Sequence, residues 1–384
     1  MRGHIRVRSG PTGTAYELRV FAGTDETGKK RYVVETLRGA RRDAEKRLAQ
    51  LVAGIDTGQS GVVRRIRFEE LVDEWWATST GHLSPHTRIG YRGMLNRYLL
   101  PTFGRTWIHK FSALGVERWY AGLIDGGAGL SPCTVRKIHV LLSGILKAAV
   151  RWGWLPVHPL AHVKAPQATL KAMSAPEPEE VARALEAAQE IDEELHVFLR
   201  LSAALGTRRG ETAALRWCDV DLEHCDVHVH RALAPLEEDP KQVIEKGTKT
   251  HANARLAIDE ETVAILKAYR VQCAEFALAC GVGLDGDAYV FSPEPGGARP
   301  WHPDHFGKQW ERLRKKIGLT HVRLHDFRHF HGTELASAGV PMTVVRDRLR
   351  HSNLRTTSMY AHSRRALDRA AADAIGATLR TKSK

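Results

Sequence analysis

The chain has 384 residues, of which 43% are hydrophobic and 26% charged, as is ordinary for a globular protein of two or three domains. No apolar run approaches the roughly 20 residues that span a bilayer, and the basic N-terminus lacks the apolar stretch of a signal peptide, so we expect a cytosolic protein. Its five scattered cysteines do not form a disulfide framework or a zinc-ribbon pattern.

The net charge of +13 is distributed unevenly along the chain. Residues 1–64 carry 13 basic and 7 acidic side chains, and residues 65–164 carry 13 and 6. Residues 165–300 are acidic, with 14 basic and 24 acidic side chains, whereas residues 301–384 have 17 and 7. Charge that only kept the chain in solution would not be segregated in this way. The pattern favours a polyanion that is bound by several separate modules.

Residues 1–60 predict a small unit of three strands and one helix. Turn-forming residues separate three short, β-prone segments, which are residues 5–8, 16–20 and 32–35. Apolar residues at helical spacing then predict a helix over 41–53. Several glycines follow this helix and indicate a linker.

Residues 66–164 predict an all-helical domain. The segments 83–87 and 130–134 share the pattern Leu-Ser-Pro-x-Thr, which is typical of a helix that begins with a serine N-cap and a proline in its first turn. The second of these helices carries Arg136 and Lys137 near its positive N-terminal end, where a DNA phosphate would be stabilised. A solvated helix face is the alternative interpretation of these two charges.

Prolines indicate a linker over residues 165–177. The remaining residues, 175–384, predict a mainly helical domain with a small β-sheet, with strands over 226–231 and 255–258 and a lysine-rich turn between them. The expected fold class is therefore multidomain α+β.

Three separated motifs supply residues that suit the breakage of a phosphodiester without a metal. They are residues 206–211 (GTRRGE), 324–329 (LHDFRH) and 349–353 (LRHSN), and Tyr360 follows the last of them. Arginine neutralises phosphate oxygens through a planar fork that stays charged. Tyrosine can attack phosphorus and store the energy of the broken bond in an ester.

The order Arg, Lys, His-x-x-Arg, His, Tyr, with these flanking residues, resembles the catalytic domain of tyrosine recombinases over residues 178–365. The resemblance extends to a core-binding helical domain over 66–164. In their pattern, residues 1–60 are similar to the three-stranded arm-binding domains of some integrases. The resemblance implies a tyrosine recombinase fold and a site-specific recombinase.

The resemblance also implies a role for each matching residue. Arg208 and Arg328 would hold the scissile phosphate. Tyr360 would attack it, giving a 3′-phosphotyrosine and a free 5′ hydroxyl. His325 and His351 would line the phosphate and assist proton movement.

Three further positions follow from the same resemblance. Glu211 stands where the family has an acidic residue that supports the site. The family's lysine, which protonates the leaving 5′ oxygen, corresponds to Lys249 in a predicted hairpin, with Lys246 as the alternative. Where the family usually has glycine, this chain has Arg350. Because glycine adopts backbone angles that arginine avoids, the local geometry stays open, and Arg350 could instead contact DNA.

Residues 366–379 predict an amphipathic helix after the nucleophile. Its apolar stripe consists of Leu367, Ala371, Ala374, Ile375 and Leu379. In the family, a helix of this kind docks on a neighbouring protomer and completes a cyclic tetramer. Packing on its own domain is the alternative.

The leading interpretation is a phage or mobile-element integrase that acts as a homotetramer on double-stranded DNA, without cofactors and with a possible accessory bending or excisionase protein. A resolvase-like recombinase is less favoured, because simple resolvases of the family usually begin with the helical domain. A DNA-binding regulator that has lost catalysis would not need the complete residue set. A zinc hydrolase built on His325 and His329 would lack the glutamate of the zinc-protease motif.

Overall fold

The computed structural model describes residues 3–10, 13–24, 30–56, 65–127, 129–167, 175–247 and 253–360, together with seven residues between 369 and 379. The chain divides into two compact units, residues 1–170 and 171–384. Of the helices in these described ranges, none combines the length and the apolar character that a membrane crossing requires.

The N-terminal residues form an antiparallel sheet whose strands follow chain order. Its strands are β1 (Gly3–Gly10), β2 (Gly13–Thr24) and β3 (Lys30–Arg38), and helix α1 (Arg41–Asp56) follows. Leu18 and Val20 of β2 and Ala44 of α1 are buried, so the helix covers one face of the sheet. The three predicted strands and the predicted helix are confirmed.

Residues 66–163 form a helical core of their own. The helices are α2 (Phe68–Ser79), α3 (Pro85–Met94), α4 (Leu100–Phe103), α5 (Ala113–Asp125) and α6 (Pro132–Arg151), and Leu95–Leu99 is a π-helical turn. Both predicted N-caps are confirmed, because Ser84 and Ser131 accept hydrogen bonds from the backbone N–H of Thr87 and Thr134, at 3.4 and 3.3 Å. Each cap stabilises its helix by about 1 kcal/mol.

The second unit packs helices around small sheets. Its helices are α7 (Pro178–Ile191), α8 (Glu193–Leu205), α9 (Arg209–Thr212), α10 (Glu260–Ala279), α11 (Asp304–Lys316), α12 (Asp326–Ser337), α13 (Met342–Leu349) and α14 (Leu354–Thr357). Helix α8 runs through the core, where Phe198 stacks on Phe306 at 3.9 Å between ring centroids. Because α8 is buried on most sides, the loop that follows it is held on a rigid support.

The strands of this unit differ from the sequence expectation. They are β4 (Val220–Asp221), β5 (Asp226–Val229), β6 (Arg231–Pro235), β7 (Val243–Gly247) and β8 (Ala254–Ala257). The single strand predicted over 226–231 was wrong: the chain breaks at His230, so β5 pairs with β4 and β8 while β6 pairs with β7. The segment predicted as a turn therefore contains a second, two-stranded sheet.

Candidate active site

The first motif lies on the loop and short helix that follow α8. Gly206 ends α8 in the left-handed conformation, with φ of 58°. A Cβ at this position would lie 2.7 Å from the His331 ring and 2.8 Å from the Leu349 side chain, so both the backbone angle and the space require glycine. The tight turn brings Arg208 to the start of α9, directly over the buried core.

Glu211 is the buried centre of this motif. Its carboxylate accepts a hydrogen bond from the Arg208 backbone N–H at 2.9 Å and another from Arg208 Nη1 at 2.6 Å. Burial disfavours the charged carboxylate, but Arg350 and Arg208 outweigh this effect and lower its pKa. Glu211 therefore stays ionised and fixes the guanidinium of Arg208, whose side chain is 28% exposed and can still meet a ligand.

Arg328 joins the ends of two helices. At the start of helix α12, the Arg323 backbone N–H donates to the carboxylate of Asp326, the first residue of the helix, at 2.7 Å. Two residues after Asp326, the buried guanidinium of Arg328 donates to the backbone carbonyls of Gly206 and Leu349, at the ends of α8 and α13. A cation is favoured at both positions, since helix C-termini are the negative ends of the helix dipoles.

The site carries more positive charge than its own acidic groups balance. Burial, together with the nearby charges of Arg208 and Arg350, lowers the pKa of Arg328 to about 9. Positive charges that are crowded away from water are stabilised by a bound anion. The arrangement therefore suits a phosphate group, with Arg208 as its more accessible contact.

Arg350 is placed differently from the sequence expectation. It ends α13 in the left-handed conformation, with φ of 53° and ψ of 46°, which costs a non-glycine residue roughly 1 kcal/mol or more. Its side chain is only 1% exposed and donates from Nη2 to Glu211 at 2.8 Å. In this conformation the side chain is turned into the protein, and the DNA contact expected for Arg350 stays a prediction.

Two histidines border the arginines. His351 is half-buried, with Nδ1 at 3.0 Å from the Thr357 hydroxyl, and burial with the charges of Arg328 and Arg208 lowers its pKa to about 4. His325 lies at the exposed rim, and partial desolvation together with His329 and Arg328 lowers its pKa to about 4 as well. Both rings are therefore neutral near pH 7 and can accept or pass on a proton.

Tyr360 packs against α12, the helix that also carries Arg328. It ends the short 3-10 turn Ser358–Tyr360 and is 1% exposed. A Cβ at Gly332 would lie 2.7 Å from Tyr360 Cζ, so the absence of a side chain at Gly332 makes room for the ring. Burial raises the pKa of the phenol, while Arg328 and Arg208 oppose this rise. The hydroxyl is thus protonated at neutral pH and needs a proton acceptor before it can attack.

The sequence did not predict the contact that His329 makes with Tyr360. Its Nδ1 lies 3.1 Å from the Tyr360 hydroxyl, and burial lowers the pKa of its imidazole. A neutral ring can accept the phenol proton at this distance. Its position next to Arg328 was the only available signal, and it does not distinguish His329 from a structural histidine such as His331, which is bonded to the Ala203 carbonyl at 2.8 Å.

Among the described residues, one group of possible metal ligands lies together, formed by Asp219, His228 and His230. Both oxygens of the Asp219 carboxylate accept hydrogen bonds from the Arg231 guanidinium. A cation at this place would be repelled by Arg231, so we assign no metal site to the group. Of the histidines of the zinc-hydrolase alternative, His329 lies beside the Tyr360 hydroxyl, and His325 packs edge-on against His329.

The other predicted residues are distributed as follows. Arg136 and Lys137 are exposed on α6. Lys249 lies outside the described residues, whereas Lys246 is in β7, opposite Ala232 of β6. Of the predicted C-terminal stripe, Leu367, Ala371 and Ala374 also lie outside the described residues, and Ile375 and Leu379 are 62% and 75% exposed.

The sequence matches two known protein families. The Phage integrase family matches residues 176–366, and the Phage integrase N-terminal SAM-like domain matches residues 67–124. The ICEBs1 integrase of Bacillus subtilis (strain 168) is 24% identical over 348 residues, which cover 90% of this chain and 93% of the relative. The likeness thus extends over nearly the whole of both chains.

Solved structures share the fold. A Tn1549 transposon integrase in complex with transposon right end DNA aligns with a TM-score of 0.68 at 18% identity, covering 81% of this chain and 100% of that one. A lambda integrase, from a tetramer bound to a Holliday junction, aligns with a TM-score of 0.60 at 16% identity over 94% of this chain and 95% of that one.

Proposed function

The chain belongs to the phage integrase family of tyrosine recombinases, and we propose that it breaks and rejoins DNA through Tyr360 at the site formed by Arg208, Arg328 and Glu211. It is a site-specific recombinase of double-stranded DNA. The observation that carries the residue assignment is the buried phenol of Tyr360, which packs against the helix that carries Arg328, close enough for Arg328 and Arg208 to act on its pKa.

The proposed reaction exchanges one ester for another. The Tyr360 oxygen attacks phosphorus while its proton passes to an imidazole, for which His329 is the nearest acceptor. Arg208 and Arg328 neutralise the non-bridging oxygens. The bond from phosphorus to the 5′ oxygen breaks, and this oxygen takes a proton from Lys249. The products are a 3′-phosphotyrosyl ester and a free 5′ hydroxyl, which can re-form a phosphodiester by the reverse reaction.

Mapping the covalent adduct tests this proposal. DNA sites would first be selected from a random pool by binding to the protein. A selected duplex with a nick near the cleavage position would then be incubated with the protein in EDTA, so that the short 5′-hydroxyl strand is lost and the adduct accumulates. We expect the adducted peptide to contain Tyr360. An adduct on another residue, or cleavage that requires a divalent metal, would contradict the proposal.

The proton donor to the leaving group can be identified by changing that group. Lys249→Ala protein is expected to cleave a normal phosphodiester slowly, since the 5′ alkoxide then leaves without a proton. A substrate with sulfur at the 5′-bridging position should restore the rate, because a thiolate leaves unprotonated. Lys246→Ala is the matched control, and rescue by sulfur in this variant alone would transfer the role to Lys246.

The N-terminal sheet and α1 are proposed to bind a second class of DNA site, the arm site. The net positive charge of residues 1–64 supports this proposal. A fragment of residues 65–384 is expected to bind and cleave the core site but to lose protection of arm sites in footprinting of the element's ends. If residues 1–64 alone, folded by circular dichroism, bind no DNA at low salt, the arm-binding role is wrong.

We also propose a homotetramer on two duplexes, with the C-terminal helical residues docked on a neighbouring protomer. The exposure of Ile375 and Leu379 supports a partner for these side chains outside their own chain. The tetramer bound to a Holliday junction, in which the similar lambda integrase is found, supports the same stoichiometry. We further propose that the protein integrates a phage or mobile element at the bacterial nucleoid, together with an accessory bending or excisionase protein.

A further inference from the structure

The residue at position 350 combines an unfavourable backbone with a buried charge. Among the described residues, only Cys225 and Arg350 have a positive φ without being glycine. Glycine would relieve the strain at the end of α13, so the arginine side chain must contribute something that glycine does not. Its position supplies the explanation, because the guanidinium reaches into the centre of the active site.

Arg350 shares Glu211 with Arg208. Arg350 Nη2 donates to Glu211 Oε2 at 2.8 Å, and Arg350 Nη1 donates to the Arg348 carbonyl at 2.7 Å. With Oε2 held in this way, Oε1 receives Arg208 Nη1 at 2.6 Å. The carboxylate thus has a fixed orientation, and through it Arg350 fixes the guanidinium that faces the DNA.

The shared carboxylate also sets the charge of the site. The guanidinium groups of Arg208 and Arg350 bind the carboxylate of Glu211, and Arg328 lies within reach of its charge, so these four described residues carry a net charge of +2. With glycine at position 350 the same group would carry +1. The field of Arg350 extends to Arg328, since it contributes to the lowered pKa of that residue.

The reaction increases the negative charge on the phosphoryl oxygens. A phosphodiester carries one negative charge, and attack by a phenol that has lost its proton produces a pentacoordinate transition state with two. A second net positive charge therefore stabilises the transition state more than the ground state. Such a difference makes the reaction faster, whereas equal stabilisation of both states would only make the DNA bind more tightly.

We propose that Arg350 is a positioning residue that orients Arg208 through Glu211 and supplies the second net positive charge for the transition state. The proposal rests on the proposed function, in which Arg208 and Arg328 hold the scissile phosphate. Arg350 acts through Glu211 in this proposal, since its Nη2 donates to that carboxylate and its Nη1 to the Arg348 carbonyl.

The test compares a charged and a neutral scissile group in the same protein. Full-length wild-type, Arg350→Gly, Arg350→Gln and Arg350→Lys proteins would cleave nicked substrates with either a normal phosphodiester or a methylphosphonate, in which a methyl group replaces one charged oxygen. Strand release is measured at saturating protein. Because the methylphosphonate transition state carries only one negative charge, it should not need the charge of Arg350.

On the phosphodiester, Arg350→Gly and Arg350→Gln should cleave roughly 10-fold more slowly than wild type, as expected for a unit charge acting through a partly buried site. On the methylphosphonate, the loss should fall to about 3-fold or less, which leaves only the effect on Arg208 orientation. Arg350→Lys should retain more of the phosphodiester rate than Arg350→Gln. Affinity for a core half-site should change little in all three variants.

A double variant separates the effect of the net charge from any effect on folding. Arg350→Gly/Glu211→Gln restores the net charge to +2, because one carboxylate is lost with one guanidinium. Its ratio of phosphodiester to methylphosphonate cleavage should return toward the wild-type ratio, even if both absolute rates fall. Partial unfolding lowers both rates equally and leaves the ratio unchanged.

Equal losses on the two substrates, or no loss in Arg350→Gly and Arg350→Gln, would overturn the proposal while the wild-type adduct at Tyr360 still supports the proposed function. If wild-type protein itself forms no adduct on the phosphodiester, the proposed function is wrong, and the role of Arg350 is overturned with it.

Discussion

Tyr360→Phe protein is expected to bind its core DNA site with unchanged affinity and to form no covalent adduct. The substitution removes one oxygen from a buried ring that fits closely over Gly332, so the packing around the ring is retained. Without the hydroxyl, no group at this position can attack phosphorus. The measurement is denaturing electrophoresis of protein incubated with a nicked, end-labelled core site, beside a binding titration with the same DNA.

Tyr289→Phe provides the matched control for this experiment. The Tyr289 hydroxyl donates to Glu245 at 2.8 Å, so the control also loses a hydrogen-bonded phenol in the same unit. It should form the adduct at the wild-type rate. A covalent adduct that persists in Tyr360→Phe would remove Tyr360 from the role of nucleophile, and loss of DNA binding would show that the ring supports the DNA-binding surface.

Arg328→Ala and Arg208→Ala are each expected to slow cleavage by roughly 100-fold or more, the usual effect of removing a group that stabilises developing charge in a transition state. Lysine should rescue either position poorly, because an ammonium group cannot replace the fork of N–H donors of a guanidinium, which in Arg328 also reaches the carbonyls of Gly206 and Leu349. The measurement is the single-turnover rate of strand release at saturating protein. Near-normal cleavage by either alanine variant would exclude that arginine from the site.

The two arginines should differ in their effect on stability. Arg328→Ala leaves the carbonyls of Gly206 and Leu349 without their guanidinium donor, and each buried polar group that loses its partner costs about 1–3 kcal/mol. Arg208→Ala should lower the unfolding temperature less, because Arg208 is partly exposed and the Glu211 carboxylate keeps its hydrogen bonds from the backbone N–H of residue 208 and from Arg350. Arg299→Ala is the control for a surface arginine, since the Arg299 side chain is 78% exposed.

Local patterns in the sequence were sufficient for much of the fold. The N-caps at Ser84 and Ser131 were predictable because a serine, a proline and an apolar repeat act within one helical turn. The break at His230 was not predictable from the sequence. Residues 226–231 alternate like a single strand, and only the segments that pair with each half determine where the first strand ends. Pairing between distant segments leaves little trace in local composition.

The residues of the active site were predictable as a set, but their contacts were not. The motifs identified Arg208, Arg328 and Tyr360 by type and order. The burial of Arg350 against Glu211 could not be read from the chain, because the two residues are far apart in sequence and an arginine is exposed in most proteins. The hydrogen bond between His329 and Tyr360 depends in the same way on how the last turn folds back onto α12.

Tyr360 does not belong to the main hydrophobic core of its unit. It is buried with Ala336, Val345 and Leu349 in a small separate cluster, while α8 belongs to the large core and the first motif lies between Leu205 and Ala213 of that core. Small satellite clusters open at lower free energy than the core they adjoin. The segment that carries the nucleophile can therefore undock by local unfolding while Glu211 and Arg208 stay in place. The free energy of exposing the phenol is then set by the few side chains of this cluster and can be smaller than the free energy of unfolding the whole unit.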